Sequence, residues 1–327
     1  MPGPDLRSGR NEIGYRDGPG PARPALLFMP APAASARAVD LLGPDFLREL
    51  EVLRRRLEIR ARSGGGGEHR ARRRGGSSEF EEHRPYAPGD DLRRIDWAAY
   101  ARTGEPVLKV FRAEEDVLVR LVCDASASLG YGEPPKLAVA CRLAAAVGYM
   151  TLARSERAQV FVAGVGVTRE HPPVRGRAGL PALMRALGAI EAGGGTDLSR
   201  AVDTVVQKSA RPGLLLAVSD FFDPGPVTAA LGRAVRAGHD VVLAQVVAPD
   251  EIEPTLEGDW ALEDAETGAV VEVTVDAAAL AAYARRFEGL CEELRGFARR
   301  HRAAYVRVRT DEPLESAVRR LVARSVD

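Results

Sequence analysis

Lysine is scarce in this chain of 327 residues. Only Lys109, Lys136 and Lys208 are lysine among the 46 basic side chains, and the others are arginine, a bias that we attribute to codon usage. The 46 acidic side chains balance the basic ones, so the formal net charge is zero. A neutral molecule is not attracted as a whole to nucleic acid or to an anionic membrane. The composition therefore excludes a uniformly basic binding protein, but not a local basic patch.

Cysteines and long apolar runs are also few. Cys123, Cys141 and Cys291 lie in apolar segments without CxxC spacing. This pattern predicts small buried side chains in a reducing compartment and excludes a disulfide framework or a zinc site. Arg142 interrupts the longest apolar stretch, residues 137–153, so no membrane span is expected. A cytoplasmic location is the resulting expectation.

The chain divides into four segments by composition and periodicity. Residues 1–38 are rich in Pro, Gly, Ala and Arg and are predicted to be flexible. Residues 39–63 are predicted to form an amphipathic helix, residues 64–115 a small β/α subdomain, and residues 116–327 the main domain. The helix prediction depends on apolar residues at helical spacing, namely Phe46, Leu50, Leu53 and Leu57.

The segment of residues 64–115 has a predicted short helix and a predicted strand, residues 107–111. Asp90 or Asp91 is expected to cap the helix. The helix is predicted to run through three apolar residues, Leu92, Ile95 and Ala99. Closely spaced opposite charges favour a local network of ion pairs and caps over a partner surface, with Trp97 as its apolar anchor. The charged residues of this network are Asp90, Asp91, Arg94, Asp96 and Arg102.

From residue 116 onward, strands and helices alternate. The predicted strands are 117–123, 159–164, 214–218, 240–247 and 305–309, and the first four are apolar runs without regular alternation. The predicted helices are 136–154, 180–190, 198–208, 227–237, 277–302 and 313–324, and residues 260–275 form a predicted hairpin. Apolar strands separated by helices indicate a doubly wound α/β fold with a mostly parallel sheet.

Oxygen-bearing side chains follow three of these elements. The first strand of the main domain leads into Asp124, Ser126 and Ser128, a run of glycines ends at Thr196, and the third strand leads to Asp220. Ligands of open parallel sheets gather at the carboxyl ends of the strands, where these loops converge. We therefore expect these five side chains to lie close together.

A set of hydroxyl and carboxylate oxygens suits a hard divalent cation, Mg²⁺ or Mn²⁺, and does not suit zinc. Hydroxyl ligands leave such an ion under-neutralised, so a vacant coordination position would attract a carboxylate from another molecule. The alternative is a hydrogen-bonded turn, in which Asp124 and the two serines only satisfy backbone groups at the end of the strand.

The five residues resemble the metal-ion-dependent adhesion site (MIDAS) of von Willebrand factor A (vWA) domains. The segment before them resembles the signature of the DUF58 family in three motifs: Pro85-Tyr86-Ala87-Pro88-Gly89-Asp90-Asp91, Arg94-Ile95-Asp96-Trp97 and Ala101-Arg102. The resemblance covers about residues 64–324 and includes Thr310-Asp311-Glu312-Pro313-Leu314 near the end.

This resemblance implies a Rossmann-like sheet with a bound divalent cation. Asp220 would act through water, and the direct or nearly direct ligands would be Asp124, Ser126, Ser128 and Thr196. The resemblance also implies a non-enzymatic adaptor that works with a MoxR-type AAA+ ATPase. Many members of the family carry transmembrane helices at the N-terminus, whereas this chain has the predicted amphipathic helix there.

Two other functions remain open from the residues. A metal-dependent hydrolase would use the cation to activate water, but it needs a general base, for which Asp197 and Asp223 are the nearby candidates. Nucleic-acid binding would use residues 54–74, where nine arginines accompany two glutamates. Five of these arginines lie on the predicted helix, and no aromatic residue is interleaved. We rank the interaction module first and the hydrolase second, and expect no nucleic-acid partner.

Overall fold

A computed structural model describes residues 40–63, 80–88, 90–92, 95–111, 117–222, 224–266 and 268–323. The flexible segment predicted for residues 1–38 lies outside the described residues, as does the arginine-rich stretch after residue 63.

Strands and helices alternate along most of the described residues. The strands are β1 (Phe80–Pro85), β2 (Val107–Phe111), β3 (Leu118–Asp124), β4 (Arg157–Gly164), β5 (Val167–Glu170), β6 (Val174–Arg175), β7 (Leu214–Ser219), β8 (Asp240–Val247), β9 (Gly258–Glu263), β10 (Val270–Val275) and β11 (Ala304–Arg309). The helices are α1 (Pro44–Ser63), α2 (Trp97–Thr103), α3 (Lys136–Ala153), α4 (Leu180–Gly188), α5 (Leu198–Lys208), α6 (Pro224–Arg236), α7 (Pro249–Ile252), α8 (Ala277–His301) and α9 (Leu314–Ala323).

A seven-stranded central sheet has the order β11-β8-β7-β3-β4-β5, and β6 also pairs with β4. β11, β8, β7, β3 and β4 run parallel, whereas β5 and β6 pair antiparallel with β4 at the edge. The chain passes from β3 to β4 on one side and then crosses to β7 on the other. The carboxyl ends of β3 and β7 therefore flank the switch point at which open α/β sheets bind ligands. The predicted α/β class with a mostly parallel sheet is confirmed.

Helices cover both faces of the sheet. α1, α3, α4 and α9 pack on one face, and α5, α6 and α8 pack on the other. Leu121 and Val122 of β3 show why the strands are apolar throughout, because these consecutive residues join the cores on opposite faces and both are fully buried.

Among the described helices, α3 is long and apolar enough to cross a membrane by length and composition alone. Inside this molecule 61% of it is buried, and the core helix of a soluble protein meets the same criteria. The expected absence of a membrane span therefore stays a prediction.

α1 confirms the predicted amphipathic helix, although it begins at Pro44 and not at residue 39. Proline suits the first turn of a helix, because its missing N–H would have no partner there. The face that α1 turns to the core contains the predicted residues: Phe46, Leu50 and Leu53, which are buried, and Leu57, which packs against them.

Glu51 adds a polar link between α1 and α3. Its carboxylate accepts a hydrogen bond of 2.6 Å from the hydroxyl of Tyr149 in α3. On its own helix it accepts hydrogen bonds from Arg54 at 2.7 Å and from Arg55 at 2.9 Å. These hydrogen bonds, the one from Arg54 first, hold the pKa of the Glu51 carboxyl far below its usual value.

The helix of the small subdomain begins later than predicted. It is α2, and its N-cap is Asp96, because the Asp96 carboxylate accepts hydrogen bonds from the N–H groups of Ala98 and Ala99 at 3.0 and 3.1 Å. Ile95 lies outside the helix, since it is paired in an antiparallel bridge with a residue of β2. β2 itself confirms the predicted strand and pairs antiparallel with β1.

The contacts of Asp90 fit the predicted network of ion pairs and caps, whereas Trp97 does not have the predicted role. Asp90 closes a turn, because its carboxylate accepts the N–H of Ala87 at 2.9 Å and the guanidinium of Arg84 at 2.6 Å. These two contacts lower the pKa of Asp90. Trp97 is 62% exposed, so its interpretation as an apolar anchor is wrong. Arg94 lies outside the described residues.

The sheet edge contains two strands that the sequence did not predict, whereas the hairpin is confirmed. β9 and β10 form a separate two-stranded antiparallel sheet. β5 and β6 are short and largely exposed, so they carry no apolar pattern long enough to indicate a strand. Gly166, with a φ of 62°, provides the left-handed residue in the tight turn between β4 and β5.

Replacing Leu50 by alanine should lower the free energy of unfolding by about 2–5 kcal/mol, because Leu50 is 1% exposed and fills the contact between α1 and the core. Val52 on the same helix is 47% exposed, so Val52→Ala should change stability by less than about 0.5 kcal/mol. Urea denaturation of the full chain measures both. Equal stability of Leu50→Ala and wild type would show that α1 does not belong to the cooperative core.

The depressed pKa of Glu51 predicts a pH-dependent contribution to stability. Such a carboxylate stabilises the folded state above the pKa of an unfolded glutamate, and the contribution is lost as the pH falls toward the lower folded pKa. Glu51→Gln should therefore be less stable than wild type at neutral pH, and the difference should shrink below about pH 4. Urea midpoints measured between neutral and acidic pH test this, and a constant difference over that range would contradict it.

Candidate metal centre

The expected site lies where β3 and β7 end side by side. Asp124 is the last residue of β3, and Ser219 is the last residue of β7. One oxygen of the Asp124 carboxylate accepts a hydrogen bond of 2.6 Å from the Ser219 hydroxyl, and the other accepts one of 2.9 Å from the N–H of Ser126. Because Asp124 is 1% exposed, both of its oxygens are fixed within the protein interior.

The two serines of the first loop face each other. The hydroxyl oxygens of Ser126 and Ser128 lie 2.9 Å apart, and both side chains are buried. Ser126 directly precedes a single 3-10 turn, Ala127–Gly130, and Ser128 lies within this turn. The first loop thus brings the two hydroxyls together directly after the N–H group that contacts the Asp124 carboxylate.

The glycine run before α5 is held against this loop by two backbone hydrogen bonds. The N–H of Ala127 donates to the carbonyl of Gly194 at 2.7 Å, and the N–H of Gly193 donates to the carbonyl of Ala125 at 3.0 Å. Gly194 has a φ of 62°, a left-handed conformation that favours glycine. These contacts bring Thr196 to the aspartate at the end of β3, with which it forms a hydrogen bond.

The site opens to solvent on the side of the glycine run, because Thr196 is exposed whereas the aspartate and the two serines are buried. The turn of the β9–β10 hairpin lies beside this opening. The Oε2 atom of Glu266 is 3.2 Å from the point that a Cβ atom on Gly195 would occupy. An acidic side chain therefore stands next to the entrance.

Asp220 forms a buried salt bridge with Lys136. The Nζ atom of Lys136, the first residue of α3, lies 2.8 Å from Asp220 Oδ2 and 2.5 Å from Glu251 Oε1. Lys136 is 0% exposed, and its Nζ also lies 4.6 Å from the centre of the Phe222 ring. Glu251 belongs to α7, where its second oxygen accepts the N–H of Ala248 at 2.8 Å.

Burial and neighbouring charge shift the pKa values of these groups. Burial raises the pKa of Asp124, and the nearby Asp220 carboxylate raises it further against the hydrogen bonds that Asp124 accepts. Burial raises the pKa of Glu251 as well, while Lys136 opposes this. Burial would lower the pKa of Lys136, but the two carboxylates together outweigh it, so this pKa lies above its usual value. The ammonium therefore remains charged at neutral pH.

The structure thus brings together four of the five predicted residues, and the fifth, Asp220, lies close to them with its carboxylate on Lys136. Sequence reasoning missed Lys136, Ser219 and Glu251. The rarity of lysine in the sequence could have drawn attention to Lys136. The position of Ser219 directly before Asp220 could have indicated Ser219. For Glu251 the sequence offers no signal, because its partner Lys136 is 115 positions away.

The donor set fits a hard cation. In the described part of the chain, no group of three or more His, Cys, Asp or Glu side chains is placed to hold a metal ion, so the oxygens available at this site are hydroxyls and one carboxylate. Burial raises the pKa of the neighbouring Cys123 well above its usual value, which keeps it a thiol and not a thiolate ligand. Such a set suits Mg²⁺ or Mn²⁺ and not zinc. The buried Asp124 also pairs with no basic side chain of the described residues, as a carboxylate that receives a cation would.

The structure describes one of the two candidate bases of a hydrolase. Asp197 is the N-cap of α5, and one of its oxygens accepts both the N–H of Arg200 and the hydroxyl of Ser199 at 3.0 Å. Asp223 lies outside the described residues. The buried His239 contacts Gly213 at the opposite end of β7. Of the two candidates, Asp197 is therefore engaged as a helix cap.

These features define an α/β protein whose mostly parallel sheet carries a carboxylate and hydroxyl cluster at its switch point. Residues 82–289 match the family described as "Protein of unknown function DUF58", and the chain belongs to this family. "Uncharacterized protein Rv1480" of Mycobacterium tuberculosis H37Rv and "Uncharacterized protein Mb1516" of Mycobacterium bovis are each 33% identical to it over 255 residues, which cover 75% of this chain and 79% of theirs.

Two solved structures are also similar to this chain. BatB from Bacteroides thetaiotaomicron matches with a TM-score of 0.44 and 17% identity, over 64% of this chain and 98% of BatB. An aerotolerance-related membrane protein from Bacteroides fragilis matches with a TM-score of 0.41 and 17% identity, over the same 64% and 98%. The DUF58 family that the signature motifs indicated is confirmed, and the vWA assignment stays a prediction.

Asp124→Asn is expected to leave the metal-free protein as stable as wild type or to stabilise it. Because the folded state raises the pKa of Asp124, ionisation at neutral pH opposes folding, and the neutral amide removes this effect. The asparagine oxygen can still accept the N–H of Ser126, and its nitrogen can donate to the hydroxyl of Ser219. Thermal midpoints in EDTA measure the difference in stability. As the pH is lowered from neutral, the midpoint of wild type should rise relative to that of the variant.

The matched control is Asp220→Asn, which weakens the contact with Lys136 and should destabilise the protein by about 1–3 kcal/mol. Destabilisation of Asp124→Asn to the same extent would contradict the prediction, because it would show that the charge of Asp124 is needed for folding.

Proposed function

We propose that this DUF58 protein is a non-enzymatic interaction module with a vWA-like domain. It binds Mg²⁺ or Mn²⁺ at a MIDAS-like site and uses the ion to hold an acidic residue of a partner protein. The observation that carries the proposal is the convergence of the Asp124 carboxylate with the hydroxyls of Ser126, Ser128 and Thr196 at the end of β3.

The roles of the residues follow from their positions. The ion would be held by Asp124, Ser126, Ser128 and Thr196, with Asp220 acting through water. When bound, the ion supplies a positive centre to which an outside carboxylate can attach. Ser219 fixes the direction of the Asp124 carboxylate, and the backbone contacts of the glycine run fix the position of Thr196. The open side at Thr196 is where the carboxylate of a partner would enter.

The partner is proposed to be a MoxR-type AAA+ ATPase, which is the partner that the DUF58 resemblance implies. The chemistry of the site requires only that the partner present an exposed carboxylate, and the engagement of Asp197 as the cap of α5 favours attachment over hydrolysis.

Ion pairs of three arginines in α1 do not favour the alternative function of nucleic-acid binding. Arg54 and Arg55 pair with Glu51, and Arg56 pairs with Glu315 at 2.5 Å. These three guanidinium groups are therefore engaged within the molecule and do not form an open phosphate-binding row.

Removal of the site oxygens should weaken metal binding. In calorimetric titrations of the full chain with Mn²⁺ or Mg²⁺, Asp124→Ala and the double variant Ser126→Ala/Ser128→Ala should each weaken binding by about tenfold or more, because the cation loses its charge partner in the first and two oxygen ligands in the second. Ser199→Ala is the matched control, since its hydroxyl contacts Asp197 outside the cluster and its isotherm should equal that of wild type. If Asp124→Ala gives the same isotherm as wild type, Asp124 is not part of a metal site and the assignment is wrong.

Partner binding should depend on the same ion. Affinity capture from a lysate of the source organism should recover a AAA+ ATPase with wild type in Mg²⁺, and should lose it in EDTA or with Asp124→Ala. Turnover of phosphoester or peptide substrates with Mn²⁺ that disappears in Asp124→Ala would instead show the hydrolase function.

A further inference from the structure

We propose that Lys136 limits the negative charge of the metal centre, so that a bound divalent cation keeps its attraction for a carboxylate from outside. The inference rests on the proposed function and adds to it the residue that makes the ion receptive to an acidic partner.

The contacts of Lys136 place its charge beside the site. Its ammonium bridges Asp220 and Glu251 at 2.8 and 2.5 Å, and no part of the side chain is exposed to water. Asp220 directly follows Ser219, whose hydroxyl donates to the Asp124 carboxylate at 2.6 Å. The ammonium thus holds the residue next to the one that contacts Asp124.

The net charge of the buried group depends on Lys136. Asp124, Asp220 and Glu251 contribute three negative charges and Lys136 one positive charge, so the buried group carries two net negative charges. A divalent cation would bring the sum to zero. Without Lys136 the sum would stay at one net negative charge after the cation had bound, and this charge would repel a partner carboxylate.

The distribution of these charges favours an outside carboxylate further. The positive charge of Lys136 is paired with Asp220 and Glu251, whereas the metal ion would be held by Asp124 and by neutral hydroxyls. One direct carboxylate offsets only half of the charge of a divalent ion. The ion would therefore remain under-neutralised at the open side of the cluster, although the buried group as a whole is neutral.

A role in holding the loops together does not by itself explain why a lysine stands at this position. It is the first residue of α3, and a positive charge at the N-terminus of a helix is unfavourable. Apolar residues of similar volume can replace a buried ion pair without loss of stability, so stability alone does not require one at this position. Lysine is also rare in this chain, which has three among 46 basic residues. A compact ammonium reaches two carboxylates from one atom, whereas a guanidinium is larger and planar.

A set of charge variants tests the inference. Lys136→Met makes the buried group one unit more negative, Glu251→Gln makes it one unit less negative, and the double variant Lys136→Met/Glu251→Gln restores the charge of wild type without the ion pair. Each full-length protein is titrated calorimetrically with Mn²⁺, with sodium acetate as the carboxylate probe or with sodium chloride at equal ionic strength. Circular dichroism establishes that each variant is folded at the titration temperature.

The expected order of Mn²⁺ affinity follows the charge. Lys136→Met should bind about tenfold or more tightly than wild type, Glu251→Gln about tenfold or more weakly, and the double variant within about threefold of wild type. Acetate should strengthen Mn²⁺ binding to wild type and have little effect on Lys136→Met. A purely structural lysine would not produce this order, because both single variants would then weaken binding by disturbing the loops around the site. If Lys136→Met does not fold, the comparison of Glu251→Gln with the double variant still tests the charge order.

Several results would overturn the inference. Lys136→Met that folds and binds Mn²⁺ no more tightly than wild type would do so, as would a double variant that binds as weakly as Glu251→Gln. Mn²⁺ binding to wild type that acetate does not strengthen would overturn it as well, while leaving the metal site itself intact. If wild type binds no Mn²⁺ but Lys136→Met does, the proposed function fails and the charge-limiting role of Lys136 is supported. If neither protein binds Mn²⁺, both are overturned.

Discussion

The buried ammonium of Lys136 joins three parts of the chain that are distant in sequence. It stands at the start of α3 and contacts Asp220 after β7 and Glu251 in α7. Two carboxylates at this separation would repel each other in the interior of a protein unless a cation stood between them. The ammonium therefore allows the loops after β7 and β8 to approach the first loop, and the shape of the whole switch point depends on it. Breaking such a pair by removing one partner is far more costly than losing an exposed ion pair.

Buried hydrogen bonds extend this arrangement to the C-terminal elements. Gln245 in β8 donates to the carbonyl of Asp220 at 3.0 Å and accepts a hydrogen bond of 2.5 Å from the hydroxyl of Tyr305 in β11. Tyr283 in α8 donates to the carbonyl of Glu251 at 2.6 Å. Each of these groups would be costly to bury without a partner, so the positions of β11 and α8 are specified together with the site. The geometry of the loop after β7 is thus inseparable from the packing of the last third of the chain.

Local signals predicted most of the fold and indicated five of the eight residues described at the candidate site. The strands of the central sheet were evident because burial on both faces leaves continuous apolar runs, whereas β5 and β6 are too short and too exposed to show a period. The start of α2 was wrong because several aspartates can cap a helix, and the long-range bridge of Ile95 with β2 selects Asp96. Asp124 and its serines lie within one turn and could be predicted. The contact between Lys136 and Glu251 depends on sheet topology, which no local pattern encodes.

The formal net charge of zero conceals an uneven distribution of charged residues along the chain. Three arginines in the middle of α1 are paired with glutamates, whereas residues 250–284 contain ten acidic residues and no basic one. Glu266 in that acidic segment lies beside Gly195 at the open side of the cluster. Negative charge at the mouth of a cleft raises the local concentration of cations and repels anions. An acidic partner would therefore be disfavoured at the entrance until a cation is bound, and the ion would act both as the attachment point and as the condition for approach.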